Sequence, residues 1–314
     1  MQEIKVTFNT ITPLWTGDAW GDNDKIRPSS LMGSLRFWFD IYLQSCGISG
    51  ESGSDDFTCN LDFSKLEEKM LSSIENEKNV SVDYAIKSSV NNLKIPLVSQ
   101  IFGCTGWKSR ITIKDINQPK IFKLRRDEIN FDFLIKEKFI NKDTEFWTKQ
   151  LLFSEEKNEI KLFKNISFSL RIDDIYLNDM KRFFSFYKDK IILCGGKKSF
   201  GFGFCKISSD FDLSDSNFLS NCNQKNIKFQ SRIIEIDNLP SDKNVLGFNF
   251  KYYQRLREKR KYRAKNFGKI GEASKFFFSA HLLNGNGKVY IFGFKDFNDN
   301  LFKQLLEEKY SNFR

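Results

Sequence analysis

The first 208 residues carry strand and helix patterns in an order that few folds can accommodate. Apolar and polar residues alternate in some segments, and other segments have the period of an amphipathic helix. In chain order these are strand 3–12, helix 29–45, strand 109–114, strand 160–172, helix 178–188 and strand 202–207. Apart from insertions, which include a predicted helix at 63–76, the order is strand, helix, strand, strand, helix, strand. This is the ferredoxin-like order, which many RNA-binding domains share. The pattern therefore predicts an α+β domain at residues 1–208.

The rest of the chain repeats part of this order after a polar connection. Residues 209–226 are rich in Ser, Asp and Asn, which suits a linker. The following patterns predict strand 227–237, a basic helix 248–265, a hairpin of strands 274–283 and 288–294, and a helix 298–309. We therefore expect two ferredoxin-like (RRM-like) domains, of which the second, at 227–314, is shortened.

Charge and hydropathy narrow the class of partner. The 314 residues include 50 Lys and Arg against 40 Asp and Glu, a formal net charge of +10. This excess favours a polyanionic partner such as nucleic acid, although it also serves solubility. Because no apolar run reaches about 18 residues and the N-terminus lacks a secretory pattern, we expect no membrane partner and a cytoplasmic location.

Metal ligands are sparse in the sequence. The six cysteines include no C-x-x-C pair, and His281 is the single histidine available to complete a mixed site. Structural zinc sites need closely spaced Cys and His ligands. We therefore expect no metal and no cofactor, and in a reducing cytoplasm we expect the cysteines to be thiols.

The entrance of the first predicted helix combines a proline with serines and arginines. Arg27 and Pro28 precede Ser29 and Ser30, and the apolar run that follows carries Arg36. A proline with two serines as N-caps is typical of a helix start. Serine hydroxyls, free N-terminal amides and arginine also bind phosphate. We therefore predict that Arg27, Ser29, Ser30 and Arg36 contact RNA.

A glycine-rich loop precedes the last strand of the first predicted domain. The candidate RNA contacts in it are Gly195, Gly196, Lys197, Lys198, Gly201 and Gly203. The spacing matches neither a Walker loop nor a G-x-G-x-x-G loop. Two interpretations remain equally open. Either the glycines let a polymer backbone approach two lysines, or they form a tight turn that needs positive φ angles.

Two further groups combine cations with aromatic residues. Trp107, Lys108 and Arg110 could stack a base and hold phosphates, although Trp107 is equally suited to packing. The predicted basic helix would extend an RNA groove through cationic side chains, although such runs are more often solvated faces. Its candidate contacts are Arg255, Lys259 and Arg263.

An acidic loop follows the first predicted strand. Asp18, Asp22 and Asp24 could form an acid site or bind a metal ion, although the spacing is not that of an EF-hand. A solvent-exposed turn is the favoured interpretation, and catalysis is the alternative.

Three groups of residues resemble, in the same order, motifs of the RAMP superfamily of CRISPR-associated proteins. They are 12–18 together with 27–39, then 101–107, and then 195–203. The Leu-Trp-Thr-Gly-Asp opening and the Arg-Phe-Trp continuation are most similar to the first-subunit branch of the Cmr (type III-B) effector complexes. The resemblance covers about residues 1–115 and 190–208.

The resemblance implies partners and a role. Such subunits belong to particles in which a guide RNA captures target RNA, so guide RNA, target RNA and other Cmr subunits are the expected partners. This branch resembles a non-catalytic cap that helps hold target RNA. The family assigns cutting to a different subunit, through an aspartate in the loop after the first strand. Because Asp18, Asp22 and Asp24 lie in that loop, a metal-dependent endoribonuclease stays open, as does a structural adaptor without RNA affinity.

Overall fold

The structure is a computed structural model. It describes residues 1–17, 23–48, 61–76, 81–117, 119–130, 152–153, 158–211, 227–234, 236, 239–248, 250, 276–283 and 288–294. The helices are α1 (Pro28–Ser45), α2 (Phe63–Asn76), α3 (Val82–Asn92), α4 (Leu97–Phe102) and α5 (Leu177–Tyr187). The strands of the first 211 residues are β1 (Gln2–Thr10), β2 (Ile111–Lys114), β3 (Lys120–Arg125), β4 (Glu159–Lys164), β5 (Ile166–Ile172), β6 (Ile191–Leu193) and β7 (Phe204–Ser209). Three more follow, β8 (Phe229–Ile234), β9 (Phe276–Phe278) and β10 (Val289–Phe294).

The main sheet has the strand order β2-β5-β1-β7-β6, and all neighbouring strands are antiparallel. The predicted order of strands and helices is present as β1, α1, β2, β5, α5 and β7. Inward residues of β1 such as Val6 and Phe8 are fully buried, while the alternating Lys5 and Asn9 are exposed. One face of the sheet therefore carries the core, as alternation predicts, and the predicted α+β class is confirmed.

Two features of this sheet differ from the sequence prediction. Residues 160–172, predicted as one strand, form β4 and β5, because Asn165 between them adopts a left-handed backbone with φ of 52°. The Asn165 side-chain oxygen accepts a 3.1 Å hydrogen bond from the Thr10 backbone N–H, which holds this break beside β1. β4 then pairs with β3 as a separate two-stranded antiparallel sheet, which we call the β3–β4 hairpin. β6 was not predicted, since its three residues are too few to show a period.

The C-terminal strands form a second sheet with the order β8-β10-β9. The predicted pairing of its last two strands is confirmed by the antiparallel register of Ile291 opposite Phe278. Phe229 and Phe292 pack on Trp38 of α1, with ring centroids 5.3 and 5.8 Å away. The second sheet therefore shares the main hydrophobic core.

The domain division remains a prediction. The proposed linker 209–226 and the predicted helices 248–265 and 298–309 lie wholly or almost wholly outside the described residues. The three described strands of the second sheet are only part of a ferredoxin-like fold.

Two sequence expectations concern the chain as a whole. Within the described ranges, no helix has the length and apolar character needed to cross a bilayer. Cys46, which follows α1, is disulfide-bonded. The expectation that all the cysteines are thiols was therefore wrong.

Candidate nucleic-acid interface

A pocket of about 340 Å³ lies where α1 faces the glycine loop, and we call it the α1–loop pocket. Its lining comes from three segments that are far apart in the sequence. The lining residues are Trp15, Thr16, Gly17, Ser30, Gly33, Ser34, Phe37, Leu193, Gly195, Gly196 and Lys198. Tertiary folding thus brings the helix entrance and the glycine loop, both predicted as phosphate-binding elements, to one site.

The helix wall of the pocket follows from the period of α1. Ser30, Gly33, Ser34 and Phe37 are three, four and seven residues apart, so they share one face of the helix. The opposite face buries Leu31, Leu35 and Trp38 together with other apolar residues. Phe37 keeps 37% of its surface exposed at the pocket. The wall therefore offers two hydroxyls and a ring, with an open space beside Gly33, where an added Cβ would meet nothing within 4 Å.

The helix begins without a side-chain cap. Arg27 occupies the N-cap position with an extended backbone, and no side-chain hydrogen bond caps the helix. The Ser30 N–H donates to the Arg27 carbonyl oxygen at 3.1 Å. The two serines therefore lie in the first turn and are not the caps that the sequence suggested. Ser29 is exposed and does not line the pocket.

The glycines of the loop pack against backbone. Gly195, Gly201 and Gly203 have φ angles of 75°, 92° and 83°, in the left-handed region that favours glycine. A Cβ at Gly195 would lie 2.4 Å from the Trp15 carbonyl oxygen, and one at Gly201 would lie 2.2 Å from the Ala280 nitrogen. The tight-turn interpretation therefore accounts for these three glycines.

Alanine at Gly203 is expected to lower the free energy of unfolding by about 2–5 kcal/mol. The added Cβ would lie 2.0 Å from the Cys194 carbonyl oxygen, at a φ of 83°. Urea denaturation followed by circular dichroism measures the change. Gly33→Ala is the matched control, because it adds the same methyl group inside a helix, where we expect a gain of about 0.5–1 kcal/mol. Similar values for both variants would contradict the prediction.

The two lysines of the loop lie on aromatic rings. The Lys198 ammonium is 5.6 Å from the centre of the Phe37 ring, and the Lys197 ammonium is 4.7 Å from that of Trp15. Burial lowers the pKa of both lysines. Lys198 therefore contributes a poorly solvated cation to the pocket, and such a cation attracts an anion more strongly than a fully hydrated one does.

Two other residues that were predicted to contact RNA form hydrogen bonds within the protein. Arg36 donates a 2.7 Å hydrogen bond from Nη1 to the Gly103 carbonyl oxygen, which ties α1 to the end of α4. Trp107 is 7% exposed, and its Nε1–H donates to the Gln100 carbonyl oxygen at 2.9 Å. Because base stacking needs an exposed ring, this burial favours the packing interpretation of Trp107.

The cations near Trp107 also lie outside the pocket. The Arg110 guanidinium is 4.2 Å from the centre of the Trp107 ring and forms a 3.4 Å ion pair with Asp173. Lys108 is exposed. The predicted contacts Arg255, Lys259 and Arg263 lie outside the described residues, so their role stays a prediction.

The acidic loop is held at its base by hydrogen bonds. The Thr16 N–H donates to the Asn23 side-chain oxygen at 3.0 Å, and Asn23 in turn donates to the Lys161 carbonyl oxygen. Asp24 forms a 3.2 Å ion pair with Lys161. Asp18 and Asp22 lie outside the described residues. Among the residues that the structure describes, no three His, Cys, Asp or Glu side chains are grouped as metal ligands.

Several pocket residues were missed by sequence reasoning. Ser34 and Phe37 carry a signal, since they lie four and seven residues after Ser30 and therefore on its face of the helix. Trp15 carries none. It reaches the pocket because its backbone pairs with Gly196, whose N–H donates to the Trp15 carbonyl oxygen at 2.7 Å.

Comparisons with known proteins show the family to which the chain belongs. Cmr1 from Pyrococcus furiosus, in its apo crystal structure, is similar at 13% identity with a TM-score of 0.44, covering 94% of this chain and 88% of that one. A chain of a type III-B Cmr-beta complex bound to cognate target RNA is similar at 12% identity with a TM-score of 0.39, covering 98% of both chains. A chain of a type IV-B CRISPR complex is similar at 11% identity with a TM-score of 0.36, covering 70% of this chain and 99% of that one. No curated protein sequence matches the chain. The sequence model of the RAMP superfamily matches residues 7–206, and this chain therefore belongs to the RAMP superfamily.

Proposed function

We propose that this chain is a non-catalytic RNA-binding subunit of a type III-B CRISPR ribonucleoprotein effector complex, in which it helps to capture target RNA. Membership of the RAMP superfamily supports a place among CRISPR-associated proteins. Guide RNA, target RNA and other subunits of the complex are the partners that this role requires.

The α1–loop pocket is the observation that carries the proposal. It combines the hydroxyls of Ser30 and Ser34, the ammonium of Lys198 and the ring of Phe37. Hydroxyls and a cation suit a phosphate, and an aromatic ring suits a base or a ribose. A volume of about 340 Å³ falls within the range of small-ligand sites and suits one nucleotide of a longer strand. None of these groups selects a particular base, so we expect binding with little sequence preference.

The alternative of a metal-dependent endoribonuclease draws less support from the described residues. A carboxylate binds a metal ion best when it is not already neutralised, and Asp24 is ion-paired with Lys161. The adaptor alternative predicts assembly with other subunits without intrinsic RNA affinity. Binding by the purified chain separates the adaptor from the proposed role.

Filling the pocket is expected to weaken RNA binding without unfolding the chain. Gly33→Leu places a branched side chain in the open space beside Gly33, where it would exclude the nucleotide. We expect at least a tenfold loss of affinity for single-stranded RNA, about 1.4 kcal/mol, measured by fluorescence anisotropy across a salt series with magnesium present. Gly33→Ala is the control, because a single methyl leaves most of the pocket open.

The same samples decide between the alternatives when the RNA is examined on a gel afterwards. Intact RNA with salt-sensitive binding agrees with the proposed role. Cleavage that stops with a chelator would instead favour the endoribonuclease. Equal affinities of the wild-type, Gly33→Ala and Gly33→Leu proteins would remove the pocket from the RNA site, and no binding at low salt would favour the adaptor.

A further inference from the structure

The β3–β4 hairpin carries lysines directly opposite each other. Lys120 pairs in register with Lys164, and Lys123 pairs with Lys161. Like charges at directly opposed positions of an antiparallel pair destabilise it. Two such pairs in a six-residue ladder therefore need a compensating anion or another reason to be present.

Acidic side chains neutralise the charges of only one of these pairs, Lys123 and Lys161. Lys161 forms a 3.2 Å ion pair with Asp24, and Lys123 forms a 3.0 Å ion pair with Glu159. The two acidic residues that follow β3 interact with Arg125. Asp127 forms a 2.6 Å ion pair with it, and Glu128 accepts a 3.0 Å hydrogen bond from its backbone N–H. Among the described residues, neither Lys120 nor Lys164 has an ion pair.

The unpaired lysines lie beside an aromatic ring. Partners in register share a face of the hairpin, and Phe122 lies two residues from Lys120 on that face. The Lys164 ammonium is 4.5 Å from the centre of the Phe122 ring. Burial lowers the pKa of Lys164. The arrangement repeats the one at the pocket, where the Lys197 ammonium lies on the Trp15 ring.

The hairpin is also joined to the α1–loop pocket through backbone. Leu14 and Phe163 exchange hydrogen bonds of 2.8 and 2.9 Å, and the next residue, Trp15, accepts a bond from Gly196. Two strand spacings of about 4.8 Å each therefore separate β4 from the glycine loop, roughly 10 Å in all. Trp15 and Phe122 pack against the same hydrophobic cluster.

We propose that Lys120 and Lys164 bind the phosphate backbone of single-stranded RNA that continues from the α1–loop pocket onto the β3–β4 hairpin. The inference rests on the proposed RNA-binding function. The anion that the opposed lysines lack is supplied by the ligand, and the half-buried Phe122 ring holds the Lys164 ammonium beside it. A protein partner fits less well. Protein interfaces are usually anchored by buried aromatic and arginine side chains, whereas these two lysines would contact only the acidic groups of such a partner.

Charge reversal at Lys120 tests this inference through two effects of opposite sign. Lys120→Glu places a carboxylate directly opposite Lys164, so we expect the melting temperature to stay level or to rise. The same change removes a phosphate contact and repels the strand. For an RNA of about 16 nucleotides we expect at least a tenfold loss of affinity. We also expect the negative slope of log K against log salt to become less steep by about 0.7–1.4, which corresponds to the loss of one or two phosphate contacts.

A dinucleotide and a matched variant serve as controls. A dinucleotide places one nucleotide in the pocket and extends only one nucleotide beyond it, so its affinity for Lys120→Glu should remain within a factor of about two of wild type, while Lys198→Glu should weaken it. Lys123→Glu makes the same charge change on the other face of the same strand. We expect it to alter the binding of the longer RNA much less than Lys120→Glu does.

The outcomes separate this inference from the proposed function. If Lys198→Glu weakens RNA binding and Lys120→Glu does not, the pocket stands and the hairpin contact is wrong. Equal losses of affinity for Lys120→Glu and Lys123→Glu would also overturn the hairpin contact, and so would equal losses for the dinucleotide and the longer RNA. Either result would show that an added negative charge weakens binding wherever it lies on the hairpin. If the wild-type chain binds neither RNA, both the proposed function of the isolated chain and this inference fail.

Discussion

Replacing Lys198 by glutamate is expected to weaken the binding of single-stranded RNA by about 10- to 100-fold, since one charge-assisted hydrogen bond contributes about 1.5–3 kcal/mol. Lys198 is the lysine that lines the α1–loop pocket, and its ammonium lies on the ring of Phe37. The change removes a cation and places a carboxylate where a phosphate would bind. Fluorescence anisotropy at low and moderate salt measures the loss.

Lys198→Met is the control that separates charge from folding. Burial lowers the pKa of Lys198, so the folded chain binds this proton less tightly than the unfolded chain does. At pH values below the lowered pKa the buried charge therefore opposes folding, and this opposition is relieved as the pH rises through that pKa towards the ordinary lysine value. Methionine keeps an apolar stem against Phe37 without the charge, and we expect the free energy of unfolding at pH 7 to rise by about 0.5–1 kcal/mol.

We therefore expect the two Lys198 variants to differ in the free energy of unfolding but to share a loss of RNA affinity. Both are expected to bind RNA more weakly than wild type, and glutamate should have the larger effect. If Lys198→Met stabilised the chain and kept full RNA affinity, the lysine charge would have no role in binding. A destabilised Lys198→Met variant would contradict the assignment of a buried, unfavourable charge.

Truncation of Trp38 to alanine is expected to lower the free energy of unfolding by about 3–5 kcal/mol. The indole is 1% exposed and meets Tyr187, Phe229 and Phe292 at centroid distances of 5.3–5.8 Å. Its Nε1–H donates to the Leu193 carbonyl oxygen at 2.9 Å. Because folded domains are stable by only about 5–15 kcal/mol, we expect the midpoint of urea denaturation to fall sharply.

Two substitutions place the size of that loss in context. Trp38→Phe keeps most of the ring packing and leaves the Leu193 carbonyl without its donor, so we expect a loss of about 1–3 kcal/mol. Phe37→Ala removes the neighbouring ring, which is 37% exposed at the pocket, and should cost less stability than Trp38→Ala while weakening RNA binding. If Trp38→Ala unfolded at nearly the wild-type urea concentration, the shared core of the two sheets would not exist in solution.

The glycine loop shows where sequence reasoning reached its limit. Both of its interpretations need glycine for the same property, access to positive φ, so residue types could not decide between them. The decision came from the neighbours of Gly195 and Gly201, which are protein backbone atoms at less than 3 Å from an added Cβ. Lys198 alone among the loop's charged residues lines the pocket.

The contacts of Arg36 and Trp107 likewise could not be predicted from residue types. Arginine and tryptophan suit RNA as well as they suit a protein interior, and the sequence does not state which neighbour they meet. Arg36 reaches the Gly103 carbonyl oxygen, and Trp107 reaches that of Gln100. These partners lie on α4 or at its end, which only packing brings beside them.

The sequence by itself determined the order of six elements of the first 208 residues, β1, α1, β2, β5, α5 and β7, and the two segments that suit phosphate. Those properties are local, because the periodicity of apolar residues can be read within a single helix or strand. Tertiary structure decided the break at Asn165, the pocket that joins α1 to the glycine loop, and the opposition of Lys120 and Lys164. Each depends on contacts between distant segments, and the register and packing that create them appear only when the chain is folded.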